Sequence, residues 1–429
     1  MNQDSNRVED LCIVEEPQIL IDFKTNNKAK SEILAKKYKV VSLFSGCGGL
    51  DLGFNGGFSS RNRFYEKNRF NIEYANDIDP AAERVYNANS AFFTDHKFHL
   101  DDIKNINFEE IPDFDFLIAG FPCQPFSNAG LRKGIGDERG NLFEECEALL
   151  KEGLKRQNKP MGFVFENVKG IMSSKMPDGT TIPDEIVRRT EKLGFKTCYK
   201  LLKTSNYGVP TNRQRLIIIG LRKDLGYFDF SLADQVVAEY NLPNETDNKY
   251  DLLLGSVLCD IPQNAPQKND YWKYSPGGQY MVDKIGPCEN GKEALEKFKK
   301  KVPLSKIGPL ITKGRSWKDM DPNDMNERFR KIWDNPQIYR APNFYRRFAL
   351  GEINGTITAS AQPENCGITH PFENRRFTIR EIARIQSFPD DFEFPYKTIA
   401  DAYKVIGNAV PPIFGWVIAK ALTKHIENE

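Results

Sequence analysis

The stretch Asp113–Ser127, D-F-D-F-L-I-A-G-F-P-C-Q-P-F-S, decides how the rest of the chain is read. Its first half, Asp113–Ala119, has the length and composition of a buried strand. Gly120 and two prolines stop that strand. Pro122 and Pro125 fix φ on either side of Cys123 and remove backbone donors there. A thiol is thereby set on a stiff turn at the carboxyl end of a strand, where open α/β sheets gather ligands and reacting groups. A lone cysteine is more often a buried structural residue. The proline bracket and the strand-end position point to a reactive one.

The same pattern recurs on either side. Tyr38–Phe44 predicts a buried strand that runs into Ser45-Gly46-Cys47-Gly48-Gly49 and a helix from Asp51 onward. Such a turn lets a ligand approach the backbone at a helix N-terminus. A plain tight turn fits the glycines about as well, and the pattern differs from the dinucleotide fingerprint G-x-G-x-x-G. The strand Asn71–Ala75 ends in Asn76-Asp77-Ile78-Asp79. An acidic residue at that point is where α/β folds bind ribose hydroxyls. Asp79 and Pro80 also read as the N-cap and first position of a helix over Pro80–Asn87. Asp101-Asp102-Ile103 follows a third short segment and reads either as an adenine-edge pair or as a surface turn.

Beyond Cys123, residues 128–140 are rich in Gly and charge and predict a mobile loop. A helix over Leu142–Leu154 follows, then a strand Met161–Phe165 that ends in Glu166-Asn167-Val168. A carboxylate at one strand end thus neighbours a thiol at the next. A helix near Asp184–Leu193 and strands Lys196–Leu202 and Leu216–Gly220 complete an alternation that means a doubly wound, mostly parallel α/β sheet. Arg213 and Arg215, two apart, project to the same side where the last strand starts.

The 429 residues suffice for two or three domains. No apolar run is long enough to span a bilayer, and the N-terminus lacks a signal-peptide pattern. Eight scattered cysteines without a C-x-x-C pair fit a reducing cytoplasm, and four histidines at no ligand spacing predict no metal. With a net charge of +1, a nucleic-acid partner needs a local basic surface. Residues 1–36 read as a polar extension. From Leu221 to Pro342 the pattern dissolves into short segments with scattered aromatics: Tyr271, Trp272, Tyr274, Trp317, Trp333 and Tyr339. Between Lys292 and Arg347, basic residues outnumber acidic ones by roughly two to one, either a solvated face or a nucleic-acid surface. Thr378 and Glu381 then form a capping box for a helix through Ser387. A last apolar helix, Ile413–Leu422, should pack back onto the first sheet.

The ordered set F-S-G-C-G-G-L, N-D-I-D, G-F-P-C-Q-P-F-S, F-E-N-V, R-Q-R, F-T-I-R-E-I-A-R-I-Q-S-F-P-D-D-F and G-N-A-V-P-P resembles the DNA (cytosine-5)-methyltransferases, from about Lys39 to the C-terminus. The compact length looks like a bacterial modification enzyme. The resemblance implies the S-adenosylmethionine-dependent methyltransferase fold. It divides the chain into an extension (1–36), a catalytic and cofactor-binding domain (37–222), a smaller irregular target-recognition domain (223–395, its variable part about 223–342) and a C-terminal segment returning to the first domain (396–429).

By the same resemblance Cys123 adds to carbon 6 of a flipped-out cytosine and Glu166 holds its N3 and amino edge. Arg213 contacts the O2 side, with Arg215 its neighbour. The loop after Ser127 looks like a flap. S-adenosyl-L-methionine is expected against Phe44, Ser45, Gly46, Cys47 and Gly49, with Asp77 on ribose, Ile78 on adenine, and Asp102 and Ile103 at the adenine edge. Pro122, Leu142, Asn408, Ala409 and Val410 are expected as walls. Double-stranded DNA is the implied partner of a cytoplasmic monomer without a membrane, and a restriction endonuclease its functional counterpart. Three positions depart from the family pattern: Asp77 for a frequent Glu, Thr211 for a Gln, and Val405 for a Gln. The rivals are an RNA (tRNA) cytosine-5 methyltransferase on the same fold, a catalytically silent DNA-binding homologue, and a nicotinamide dehydrogenase that rests only on the glycine turn.

Overall fold

The strand predicted to start the fold is present as β1, Tyr38–Leu43, and a seven-stranded sheet grows from both of its edges. The computed structural model describes residues 37–93, 96–122, 142–308, 314–335, 337, 345–360 and 367–428. Cys123, the predicted flap 128–140, the extension 1–36 and Tyr339 lie outside the described residues.

β1 leads through the glycine turn into α1 (Gly49–Asn55). A short hairpin, β2 (Phe58–Ser60) and β3 (Arg63–Tyr65), precedes β4 (Phe70–Asp77) and α2 (Pro80–Ala88). Then come β5 (Phe98–Leu100), β6 (Phe116–Ala119), α3 (Leu142–Lys155), β7 (Gly162–Val168), α4 (Ile182–Lys192), β8 (Phe195–Lys203) and β9 (Gln214–Arg222). The sheet order is β5-β4-β1-β6-β7-β9-β8. Pairings from β5 to β7 are parallel, whereas β9 runs antiparallel to both β7 and β8. The reason is the connection 204–213, which holds only a short 3₁₀ turn and cannot make the crossover that a parallel neighbour needs. Pairing with β9 also carries β7 through Glu166 to Val168, so the carboxylate expected just past the strand lies within it, opposite Ile217.

Alternation along the strands splits the core into two layers. Val40, Ile72, Phe116, Ile118, Val164, Ile217 and Ile219 share one cluster with Leu50, Leu52 and Phe54 of α1 and Val85 of α2. Val41, Leu43, Leu117, Phe163, Phe165, Leu216 and Ile218 share the other with Phe143, Leu149 and Leu150 of α3 and Ile186 of α4. A bulge at Glu73 of β4 shifts the register between Ile72 and Tyr74.

The region read as patternless is helical in pieces: α5 (Ser231–Glu239), α6 (Leu254–Leu258), α7 (Pro276–Ile285), α8 (Gly291–Lys299), α9 (Leu304–Ile307) and α10 (Glu327–Asp334). These helices are short, with none longer than the ten residues of α7, which hides their period. α5, α6 and α8 contribute to the first core layer. Met281, Val282, Ile285, Trp317, Met320, Phe329, Ile332 and Tyr345 form a small core of their own. Trp317 therefore packs rather than facing a solvated groove.

α11 (Ile379–Ile385) carries the predicted capping box, in which Thr378 accepts from the Glu381 N–H and Glu381 accepts from the Thr378 N–H at 2.6 Å. α12 (Ile399–Asn408) and α13 (Pro412–Asn428) follow. The stretch Ile399–Glu427 is long and apolar enough to cross a membrane, yet 89% of its most apolar window is buried in the protein. The last helix, expected to pack onto the first sheet, packs as α13 onto α1 and α5. A Cβ on Gly53 would stand 2.6 Å from the Pro412 carbonyl and 2.7 Å from Gly415 Cα, so only glycine permits this crossing.

Candidate active site and cofactor cleft

Two groups of predicted residues meet at the carboxyl ends of the parallel strands. The first lies between β6, β7 and β9. Glu166 is buried on β7, and its Oε1 makes an ion pair with Arg215 Nε at 2.6 Å. Its other oxygen, Oε2, faces Gly120, where a Cβ would lie 3.5 Å away. Gly120 directly follows β6 and stands three residues before Cys123 in the sequence, so the carboxylate borders the chain that leads to the cysteine.

Asn167, which sequence reading gave no role, ties these parts together. Its amide donates to the Phe121 carbonyl at 3.0 Å, and its oxygen accepts from the Val168 N–H at 2.9 Å. Phe121, Phe143 and Phe165 pack their rings beneath, with centroids 5.6–6.2 Å apart. The only sequence signal for Asn167 is its place in E-N-V.

The arginines divide differently from expectation. Arg213 directly precedes β9 and Arg215 is its second residue, and Arg215 is the one at Glu166. Arg213 is fully buried in carbonyls. Its Nη1 donates to Ile357 at 3.0 Å and Gly407 at 2.8 Å, and its Nη2 donates to Asn408 at 3.2 Å. Burial, with the Arg215 charge beside it and against the pull of Glu166, pushes the Arg213 pKa down from its ordinary value. Arg213 therefore ties the sheet to residues 353–358 and to the end of α12. Thr211, the departure from a frequent Gln, is buried and donates to the Gly355 carbonyl at 3.0 Å, adding to the same seam.

The second group surrounds a cleft between the β1 turn, the end of β4 and the end of α12. Phe44 adopts φ 54° and Gly46 φ 56°, so the turn after β1 is tight. Asp77 Oδ2 accepts from the Gly46 N–H at 2.9 Å, and Oδ1 accepts from the Asp79 N–H at 2.9 Å. Burial raises its pKa against those two hydrogen bonds. Each oxygen keeps a lone pair for a further donor. Ile78, next along, is 63% exposed, an apolar surface at a strand end. Asp102 caps a 3₁₀ turn through the Lys104 N–H at 3.1 Å, and Ile103 is buried beneath it.

Gly49 closes the other wall, since a Cβ there would lie 2.2 Å from the Val410 carbonyl. Ala409 and Val410 are thereby held against the turn, with Asn408 exposed beside them. Ser45 is half-buried, and its hydroxyl bonds back to Ser42 at 2.9 Å. Pro122 is exposed and Leu142 half-buried at the start of α3. Cys47 turns its side chain away from the surface. Its buried thiol donates to the Val405 carbonyl at 3.5 Å and burial pushes its pKa up, so only its backbone belongs to the turn.

Asp51 is a further missed residue. It is wholly buried in α1 and accepts from Ser42 Oγ at 2.7 Å and Tyr86 Oη at 2.9 Å. A carboxylate inside the apolar run L-D-L-G-F was the available signal, because such a group persists only when paired. Among the described residues no group of three or more His, Cys, Asp or Glu is arranged to hold a metal.

Comparison with known proteins finds relatives that cover most of the chain. The Type II methyltransferase M.FnuDI of Fusobacterium nucleatum is 32% identical, covering 91% of this chain and 96% of its own. The Type II methyltransferase M.NgoPII of Neisseria gonorrhoeae is 30% identical, with 91% and 96% covered. A putative DNA modification methyltransferase encoded in an Escherichia coli prophage shares the fold, with a TM-score of 0.55 at 24% identity, covering 92% of this chain and 100% of its own. The model of the C-5 cytosine-specific DNA methylases matches residues 38–424. The chain therefore belongs to the C-5 cytosine-specific DNA methylases and is a DNA cytosine-5 methyltransferase.

Proposed function

We propose that this enzyme methylates a cytosine within a short, specific duplex sequence through a covalent Cys123 adduct, with S-adenosylmethionine as donor. The observation that carries the proposal is the buried Glu166–Arg215 pair beside Gly120. Carbon 5 of cytosine is too weak a nucleophile by itself. Attack of the Cys123 thiolate on carbon 6, with a proton delivered at N3 by Glu166, makes carbon 5 enamine-like. Arg215 keeps Glu166 oriented and offers its guanidinium to the O2 side, the role first expected of Arg213, while Arg213 holds the seam behind it. After carbon 5 is methylated, a water-borne base takes its proton and the electron pair expels the thiolate. The cytosine must leave the helix for this chemistry.

The cleft fits the donor. Spare lone pairs on Asp77 suit a ribose diol, exposed Ile78 suits an adenine face, and the Phe44–Gly49 turn with Asn408–Val410 suits the methionine end. When bound, S-adenosylmethionine supplies a methyl group on a sulfonium. Residues 223–395 are the proposed target-recognition domain between the catalytic part, 37–222, and the returning segment, 396–429. Protection of bacterial host DNA from a restriction endonuclease, by a monomer in the cytoplasm, completes the proposal.

Labelled-methyl transfer tests it. Incorporation is expected into unmethylated duplex DNA and not into tRNA. Cys123→Ser should reduce it to background and Arg215→Ala by about 100-fold or more, the scale of one lost transition-state donor. Full activity of Cys123→Ser would refute the thiol mechanism.

A further inference from the structure

The cleft has an outer fastening that none of the proposed cofactor contacts includes. Lys404, on α12, makes an ion pair with Asp79 Oδ2 at 2.7 Å. Asp79 uses its other oxygen to cap α2, accepting from the Ala81 N–H at 2.9 Å. Its own N–H donates to Asp77 Oδ1, and Asp77 Oδ2 accepts from Gly46. A continuous chain of polar contacts therefore runs from α12, through the cap of α2, to the carboxylate at the end of β4 and on to the glycine turn.

α12 is the helix that delivers Asn408. Lys404 and Asn408 are one turn apart and share a face. The neighbouring Val405 carbonyl accepts the Cys47 thiol. A second, weaker contact of opposite polarity joins the same helices, Arg84 Nη2 to Asp401 Oδ2 at 3.5 Å. Both walls of the cleft, Asp77–Ile78 on one side and Asn408–Val410 on the other, are thus spanned by charge pairs outside the cleft itself.

We infer that the Lys404–Asp79 ion pair is a clasp that sets the spacing of the two cleft walls, so that Lys404 and Asp79 are positioning residues for cofactor binding. The inference rests on the reading of the cleft as the S-adenosylmethionine site. Lys404 is about half exposed, so the pair is open to screening by salt. An exposed pair of this kind contributes modestly, and its loss should weaken binding by about threefold to fivefold.

The test is calorimetric titration of the full chain with S-adenosylmethionine, without DNA, at about 0.05 M and about 0.5 M NaCl. The variants are Lys404→Met, Asp79→Ser and the double substitution. Serine preserves the cap of α2 while removing the charge. Each single variant should bind about threefold to fivefold more weakly at low salt, and the double variant no more weakly than either single. All three should lose the salt dependence of the wild type. Methylation at saturating cofactor should keep its kcat, with only the cofactor KM raised, a split that general destabilisation would not produce. Wild-type affinity and salt dependence in the single variants, or additive losses in the double variant, would overturn the clasp while leaving the cofactor site standing. Absence of binding by the wild type would overturn both.

Discussion

Asp51 shows how one residue in an apolar helix can govern the turn that leads into that helix. Its oxygens accept from Ser42 and Tyr86, Ser42 in turn accepts from Ser45 at 2.9 Å, and Tyr86 Oη meets His96 Nε2 at 2.9 Å. Burial, opposed by the hydrogen bonds from Ser42 and Tyr86, pushes its pKa up to about 7. Below pH about 4 both folded and unfolded states hold the proton. Between there and about 7 the unfolded chain releases it and the folded chain does not, so stability falls as pH rises through this window. A rise from 3.8 to about 7 corresponds to about 4 kcal/mol in the limit, at about 1.36 kcal/mol per pH unit. In Asp51→Asn this dependence is absent. The thermal midpoint of the wild type should lose ground relative to the variant between pH about 4 and 7. Parallel curves in a fluorimetric pH series would show that Asp51 does not titrate there.

At the scale of elements, the crossing of α1 and α13 matters most, because α13 begins two residues after Val410. Gly53 and Gly415 bring the two backbones together. Gly53→Ala places a methyl group against backbone that cannot rotate away. The expected cost is about 1–3 kcal/mol, the usual range for overpacking. Gly277→Ala is the control, since a Cβ there meets nothing within 4 Å. Thermal unfolding should separate the two, and equal midpoints would mean that the helices part without loss. The signal for this contact was present in the sequence as two glycines inside apolar helices, but nothing in the spacing says which glycine meets which helix.

The whole molecule has its main core in two layers and a small third core around Trp317. The third core shares no residues with the cleft or with Glu166, so the two should fail independently. Trp317→Ala should destabilise its region by about 3–5 kcal/mol and weaken binding of target DNA. Cofactor affinity measured by calorimetry without DNA should stay at the wild-type value. A parallel loss of cofactor binding would show that the small core supports the catalytic part.

The sequence by itself determined the α/β alternation, the strand ends that carry Glu166 and Asp77, the cap at Asp79 and the capping box at Thr378. These follow from local rules: buried strands are apolar runs, and caps and turns need particular side chains within a few residues. Only the tertiary structure decided that Arg215 rather than Arg213 meets Glu166, that the Cys47 thiol is spent on Val405, that Asp51 anchors Ser42 and Tyr86, and that Lys404 reaches Asp79. Each of these contacts joins residues far apart in the chain or chooses between neighbours on one face. Such choices are made by packing, where burial removes water and a polar group must find its partner within the protein.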